Sequence, residues 1–362
     1  MGLRVTRIDY LDGQRGIAIL LVVFYHAYSR WSTHVPYGDQ WGDIPLIKFG
    51  YMGVELFFLI SGFVILMTLE KSPNPVVFLY KRWLRLFPTM LICSVIIFFT
   101  LPLLPMRPSG SRSLIDILPS LTFIDPIIMS KVLGLNITSL EGAFWSIFVE
   151  VKFYLVCAVL YFVVGTRGLV ISLFLGFMSY HLLAFLTSIT SHYFIELLYT
   201  LTYYLSFKYF GWFAAGAAFY LFKRDDDIRW WWGACVMCLI SIGLFNGFDG
   251  QFQLNISTAL LTVSLLFALS LRIQIIQAVL RSPALVWFGF ISYPLYLLHE
   301  NMMIALLAQG AQVIPIPVIF SPFLVILFIA MVAYVIASYG EGFLRKKIIS
   351  VVASVLFRSN RI

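Results

Sequence analysis

Charged residues are scarce in this chain of 362 residues. Asp, Glu, Lys and Arg make up only 12% of it, and 61% is hydrophobic, whereas soluble domains carry about 25% charged residues. A chain this apolar cannot cover its surface with polar groups, which excludes a soluble globular protein. Its apolar residues stand in long continuous runs rather than in alternation, which favours helical spans over the strands of a barrel. We predict an all-α, polytopic integral membrane protein.

Cysteine is also scarce, with four residues in the whole chain. All four lie within apolar runs, and Cys235 and Cys238 have CxxC spacing. A zinc site needs a second pair or nearby histidines, which the sequence does not supply. The cysteines therefore predict packing residues, and we expect neither a disulfide framework nor a bound metal.

Apolar segments long enough to cross a bilayer recur about ten times along the chain. Their approximate limits are 16–34, 48–69, 86–105, 143–165, 168–187, 208–222, 230–246, 254–271, 284–307 and 319–339. Most of the 25 Lys and Arg residues fall on one side of these spans, the side that the positive-inside rule places in the cytoplasm. Both termini are predicted on that side. Topology thus accounts for the net charge of +8, and no nucleic-acid partner is expected.

The expected domain organisation is simple. Residues 1–345 form one transmembrane domain, and residues 346–362 form a basic cytoplasmic tail that lies on the inner leaflet of the lipid bilayer. The longest external segment, roughly 106–142, contains several prolines and is expected to form an interfacial or re-entrant cover. The sequence carries no signal for the oligomeric state.

His26 is the first candidate functional residue. It ends an apolar run that starts near Arg15, and helical rise places it roughly 16 Å deeper than Arg15, about halfway through a ~30 Å hydrocarbon core. Polar side chains are predicted from mid-membrane outward on three other helices: Glu55, Ser61, Glu150 and His299. Such a layer is typical of a buried, water-accessible site. Each member also fits a structural role, such as a packing histidine or a carboxylate that caps a bend.

A basic cluster lies at the predicted inner edge of the third span. It consists of Lys81, Arg82 and Arg85, and the two arginines are three residues apart, which predicts a shared helix face. Two guanidinium groups on one face are suited to clamp phosphates. Ordinary positive-inside anchoring explains the same residues.

Two functions from different classes fit these residues. A proton-coupled secondary transporter would use Glu55, Glu150 and His26 as a relay. An enzyme that uses a phosphate-bearing cosubstrate would need a phosphate clamp on the cytoplasmic side, which Arg82 and Arg85 offer. Transporters often contain repeated, broken spans, and the absence of an internal repeat favours the enzyme.

Five sequence blocks resemble the acyltransferase 3 family, whose members are membrane-bound O-acyltransferases of surface carbohydrates. In chain order the blocks are YLDGQRGIAILLVVFYH, GYMGVELFFLISGFVI, RWLRLFP, FWSIFVEVKFYL and ISYPLYLLH. The resemblance extends from residue 9 to about residue 340, nearly the whole chain, and the blocks occur in the family's order. The resemblance implies transfer of an acetyl group from cytoplasmic acetyl-CoA to a glycan hydroxyl, as in O-antigen or exopolysaccharide, at the outer face of a bacterial inner membrane.

The resemblance also implies roles for individual residues. Arg15 and His26 become the essential pair, with His26 acting as general base or as a covalent carrier of the acetyl group. Glu150 would orient the His26 ring or hold the acceptor. The basic residues Lys81, Arg82 and Arg85 would bind the donor. The remaining block residues are assigned to the acceptor or to support: Asp12, Glu55, Ser61, Trp145, Ser146, Tyr293 and His299.

Overall fold

The computed structural model describes residues 8–245, 253–313, 317 and 319–359. Over these residues the chain is helical and contains no β-strand, which confirms the all-α prediction. The α-helices are α1 (Asp9–Tyr25), α2 (Pro45–Lys48), α3 (Gly53–Leu69), α4 (Pro75–Thr100), α5 (Leu118–Thr122), α6 (Pro126–Leu133), α7 (Trp145–Ile189), α8 (Tyr193–Tyr204), α9 (Phe210–Asp225), α10 (Ile228–Phe245), α11 (Leu254–Ser270), α12 (Gln274–Leu280), α13 (Pro283–Leu298), α14 (Asn301–Val313), α15 (Ser321–Val335) and α16 (Glu341–Ser359).

Several of these helices have the length and composition of membrane spans. In the described part of the chain, five stretches qualify: Gly50–Leu69, Pro75–Thr100, Gly142–Ile189, Ile228–Phe245 and Ser321–Ser354. A sixth arises if α11 and α12, bent by 106° at a short break, count as one span. The helices support a membrane protein. The count of ten spans and the cytoplasmic position of both termini stay predictions.

Two helices begin before the spans predicted on them. Helix α1 begins at Asp9 rather than near residue 16, and α4 begins at Pro75 rather than near residue 86. In both cases the helix includes the charged residues that precede the apolar span. Proline at the first helical position explains the start of α4, because its missing N–H is not needed there.

The predicted span 284–307 is broken in the structure. Helix α13 ends at Leu298 and α14 begins at Asn301, with His299 and Glu300 between them. The span predicted to end at residue 339 instead continues through a π-helical turn, Ile336–Gly340, into α16. The predicted tail is therefore helical up to Ser359, and residues 360–362 lie outside the described residues. The domain boundary at residue 345 stays a prediction.

The chain forms two compact units. The first contains the residues up to Val22, Pro45–Leu79 and Ser146–Gly289; the second contains Val23–Ile44, Tyr80–Trp145 and Phe290 onward.

Within the first unit, α3 and α9 approach each other backbone to backbone. A Cβ atom at Gly62 of α3 would lie 2.1 Å from the carbonyl oxygen of Phe213, and one at Gly216 of α9 would lie 2.0 Å from that of Leu59. Small residues permit such close packing between membrane helices, where van der Waals contact replaces the hydrophobic effect. The Phe153 ring of α7 stacks on Phe213 with centroids 4.0 Å apart, so α7 joins this pair.

Substitution of these glycines should destabilise the protein. We expect Gly62→Ala and Gly216→Ala to lower the thermal unfolding midpoint in detergent by several degrees, because each methyl group would overlap a backbone oxygen and overpacking costs about 1–3 kcal/mol. Gly233→Ala in α10 is the matched control, since no atom lies within 4 Å of the position that its Cβ would occupy. Equal midpoints for Gly216→Ala and Gly233→Ala would contradict the close approach.

Candidate active site

The amino-terminal part of α1 carries a paired carboxylate and guanidinium. Arg15 Nη1 donates to Asp12 Oδ1 at 2.7 Å, and Asp12 is buried. This part of α1 packs against the start of α13, because a Cβ at Gly16 would lie 2.1 Å from Leu285 O and one at Gly289 would lie 1.9 Å from Asp12 O. The glycines therefore hold the Asp12–Arg15 pair close to α13.

Glu150 lies at the centre of a second polar group in the first unit. Its Oε1 atom accepts hydrogen bonds from Ser61 Oγ, at 2.8 Å, and from the hydroxyl of Tyr154. Lys152 instead donates to Ser206 Oγ at 3.1 Å, so it is not the partner of Glu150 in this group. The structure thus brings Ser61 and Glu150 together. Buried Glu55 lies on the same helix as Ser61, six residues nearer its start.

His26 lies in the second unit, in direct contact with His299. It begins a π-helical turn, His26–Arg30, that follows α1. His26 Nδ1 is 3.1 Å from His299 Nε2, and the ring planes are nearly perpendicular, at 79°. On the other side of the ring, His26 Nε2 is 3.8 Å from Glu300 Oε1. Two residues from the break between α13 and α14 therefore flank the predicted catalytic histidine.

The break is held by groups that are distant in sequence. Asn301 N, at the start of α14, donates to Glu141 Oε2 at 2.7 Å, so a side chain satisfies one of the N–H groups that every helix start leaves open. The Glu300 carboxylate accepts from Ala143 N, and Tyr296 OH donates to Ala143 O at 3.0 Å. These bonds tie the break to the segment just before α7.

Glu141 is itself part of a buried ion pair. Arg107 Nη1 donates to Glu141 Oε1 at 2.8 Å, and Arg107 Nη2 donates to Thr100 Oγ1 at 3.0 Å. Burial raises the pKa of Glu141 to about 7, and the guanidinium of Arg107 opposes that rise. Ser109 N donates to Asn301 Oδ1 at 3.1 Å, which connects the loop that carries Arg107 to α14.

Sequence reasoning missed Arg107, Glu141 and the role of Glu300. Arg107 and Glu141 stood at the two ends of the segment predicted as an external cover, where charges are usually solvated. A usable signal was present, because Glu300 and Asn301 fall inside an otherwise apolar span and polar groups there require partners.

The external segment is organised by its own hydrogen bonds. Asp116 accepts from Ser113 N at 2.8 Å and from Thr138 N at 2.7 Å. Burial acts to raise the pKa of Asp116, but these hydrogen bonds outweigh it and hold the pKa below its usual value. Arg112 Nε donates to Ser139 O at 2.9 Å. The segment therefore folds on itself around two short helices, α5 and α6.

The basic cluster on α4 differs from the prediction. Arg82 is buried, with 8% of its surface exposed, whereas Lys81 and Arg85 are exposed. The two arginines are therefore not equally exposed, although they are three residues apart. Residues three apart still differ by about 60° around a helix axis, which is enough to turn one inward. Tyr293 OH donates to Leu86 O at 3.2 Å, which places Tyr293 beside this part of α4.

The remaining predicted residues lie where α7 begins. Trp145, the first residue of the helix, is 40% exposed, and Ser146 is buried. In the described residues, no group of three or more His, Cys, Asp or Glu side chains is arranged to hold a metal ion.

The helices and the paired acid–base groups define a membrane protein with a histidine-centred polar site. The chain belongs to the acyltransferase 3 family, because the family's acyltransferase-domain model matches residues 8–340, nearly the whole chain. No solved structure matches the chain.

Curated relatives are similar over parts of the chain. Nodulation protein 10 of Rhizobium leguminosarum bv. viciae is 27% identical over 161 residues, 40% of this chain and 41% of that protein. The O-acetyl transferase of Shigella phage Sf6 is 27% identical over 154 residues, 41% of this chain and 44% of that protein. A Staphylococcus aureus (strain COL) protein named as an O-acetyltransferase is 28% identical over 100 residues, 26% of this chain and 14% of that protein. The chain spans less than half the length of each.

The Arg107–Glu141 pair yields a stability prediction. Arg107→Ala should lower the free energy of unfolding by about 3–5 kcal/mol, because it leaves a buried carboxylate without its partner. The difference in free energy of unfolding between variant and wild type should be smaller at pH 5. The pKa of Glu141 is already raised to about 7, and the loss of Arg107 raises it further. At pH 5 the Glu141 carboxyl is therefore neutral in the folded protein and no longer needs a positive partner. Thermal unfolding in detergent at pH 5 and pH 8 measures both effects.

The control for this prediction is the double variant Arg107→Met/Glu141→Gln, which removes both charges and keeps similar volumes. It should be more stable than Arg107→Ala at pH 8. A double variant that is no more stable than the single one would contradict the charge argument.

Proposed function

We propose that this chain is a membrane O-acetyltransferase. It takes an acetyl group from acetyl-CoA on the cytoplasmic side of a bacterial inner membrane. It passes the group to a hydroxyl of a surface polysaccharide, such as O-antigen or an exopolysaccharide, at the outer side. Family membership and the named O-acetyltransferase relatives support the reaction class. The arrangement around His26 carries the proposal, because a partly buried imidazole between His299 and the Glu300 carboxylate is equipped to accept a proton.

The proposed reaction is a single acyl transfer. His26 takes the proton of the acceptor hydroxyl while the hydroxyl oxygen attacks the thioester carbonyl carbon. The carbon–sulfur bond then breaks, and the CoA thiolate leaves and is protonated. Glu300 lies 3.8 Å from His26 Nε2 and would stabilise the positive charge that the ring gains. In a two-step variant, the ring itself attacks the thioester and carries the acetyl group to the acceptor.

Donor binding is proposed at the basic cluster of α4. Lys81 and Arg85 are exposed, where they can contact the phosphates of acetyl-CoA. Buried Arg82 is better placed to stabilise the local structure or to contact the part of the donor that lies deeper in the protein.

Family membership favours this enzyme over the proton-coupled transporter that the intramembrane acids also fit. Arg15, paired with Asp12, is proposed to act with His26, and Glu150, bonded by Ser61 and Tyr154, is proposed to support the acceptor.

Loss of His26 should abolish the reaction. We expect cells that express His26→Ala to contain the folded, membrane-inserted protein but no acetylated surface polysaccharide, as measured by NMR or mass analysis of the glycan. Arg15→Ala should have the same effect. The control is His34→Ala, because His34 is exposed and belongs to the same unit. Normal acetylation with His26→Ala would refute the assigned role.

Acetyl-CoA should stabilise the purified protein. A donor that binds the folded state raises its stability by about 2.7 kcal/mol at a concentration of 100 Kd, which thermal unfolding detects as a higher midpoint. Arg85→Ala should reduce this shift, since it removes a guanidinium group from the phosphates. Arg345→Ala, an exposed arginine of the same unit, is the matched control and should keep it. The absence of any shift in the wild-type protein would contradict acetyl-CoA as donor.

A further inference from the structure

The hydrogen bonds of His299 determine where its own proton lies. His299 Nδ1 is 2.7 Å from the carbonyl oxygen of Tyr296. A carbonyl oxygen only accepts, so Nδ1 must carry the hydrogen and donate it. His299 is completely buried, with 0% of its surface exposed, and a neutral ring avoids the cost of a buried charge. A neutral ring with hydrogen on Nδ1 leaves Nε2 as an acceptor.

The tautomer of His299 determines the tautomer of His26. The acceptor atom, His299 Nε2, is 3.1 Å from His26 Nδ1, within hydrogen-bond reach. Because His299 accepts at this contact, His26 must donate, and its hydrogen is therefore on Nδ1. The tautomer of a histidine is set by the bond that one of its two nitrogens makes. His26 Nε2 is then the nitrogen that holds the free electron pair.

We infer that His299 is a positioning residue that holds His26 in the tautomer whose Nε2 is the reactive atom. The inference rests on the function proposed above. Two hydrogen bonds, from His26 to His299 and from His299 to Tyr296 O, connect the reactive ring to the backbone at the end of α13. They set both the orientation of the ring and the nitrogen that reacts.

This assignment serves both forms of the proposed reaction. In direct transfer, the acceptor hydroxyl gives its proton to Nε2, and Nδ1 keeps its hydrogen. In the two-step form, Nε2 attacks the thioester carbonyl, the carbon–sulfur bond breaks, and the CoA thiolate takes up a proton. Nδ1 of the acetylated ring keeps its hydrogen, which stays hydrogen-bonded to His299 Nε2. In either case the positive charge forms at the ring that Glu300 Oε1 approaches to 3.8 Å.

Nitrogen NMR tests the inference without requiring acyl transfer. The chain contains five histidines, so a sample labelled with ¹⁵N-histidine in lipid nanodiscs gives few signals, and His26→Ala identifies those of His26. At pH 8, where unperturbed imidazoles are neutral, we expect the wild-type His26 to carry hydrogen on Nδ1. In His299→Leu, we expect the hydrogen to shift towards Nε2. Hydrogen on Nε2 in the wild type, or an unchanged tautomer in His299→Leu, would overturn the inference.

Kinetics of matched variants distinguish positioning from a purely structural role. His299→Leu should lower kcat at least tenfold while acetyl-CoA still raises the unfolding midpoint. His299→Gln retains an acceptor oxygen and a donor N–H, so it should keep the His26 tautomer and recover much of kcat. Equal loss of kcat in both variants would overturn the inference, and so would loss of the tautomer in His299→Gln. If the wild-type tautomer is as inferred but no acetyl transfer occurs, the proposed function fails while the hydrogen-bond assignment stands.

Discussion

An interruption of a helix in an apolar surrounding is tolerated only where other groups bind the freed peptide N–H and C=O groups. The break between α13 and α14 meets this requirement with distant partners. Glu141 accepts from the freed Asn301 N, and the Glu300 side chain in turn accepts from Ala143 N, which ties the break to the segment before α7. Arg107 balances the charge of Glu141.

The break between α13 and α14 supplies the two side chains that lie beside His26, those of His299 and Glu300. Two successive residues of a regular helix point about 100° apart, yet His299 and Glu300 both approach the same imidazole ring. The ring itself stands at the first residue of a π-helical turn, a form that is often found at functional sites. The backbone is thus irregular on both sides of this contact.

Each unit contributes its own polar cluster. The first holds the Asp12–Arg15 pair and the hydrogen bonds from Ser61 and Tyr154 to Glu150, and the second holds His26 with its two neighbours. The blocks that carry the family resemblance supply most of these side chains. Arg107 and Glu141 lie outside the blocks, and their role in the site is indirect, through the support of the break.

The fold class follows from the sequence alone, because scarce charge and long apolar runs allow few structures other than membrane helices. The sequence also identified His26, Glu150 and His299 as polar groups in an apolar setting. Which of them meet depends on the tertiary structure. The contacts of His26 require the break between α13 and α14. The sequence does not predict this break, because neither residue 299 nor residue 300 is a proline or a glycine. The break is stabilised by Glu141, which is 160 residues away in sequence from Asn301. Local patterns record helix length and polarity, whereas such long-range hydrogen bonds exist only once the chain is folded.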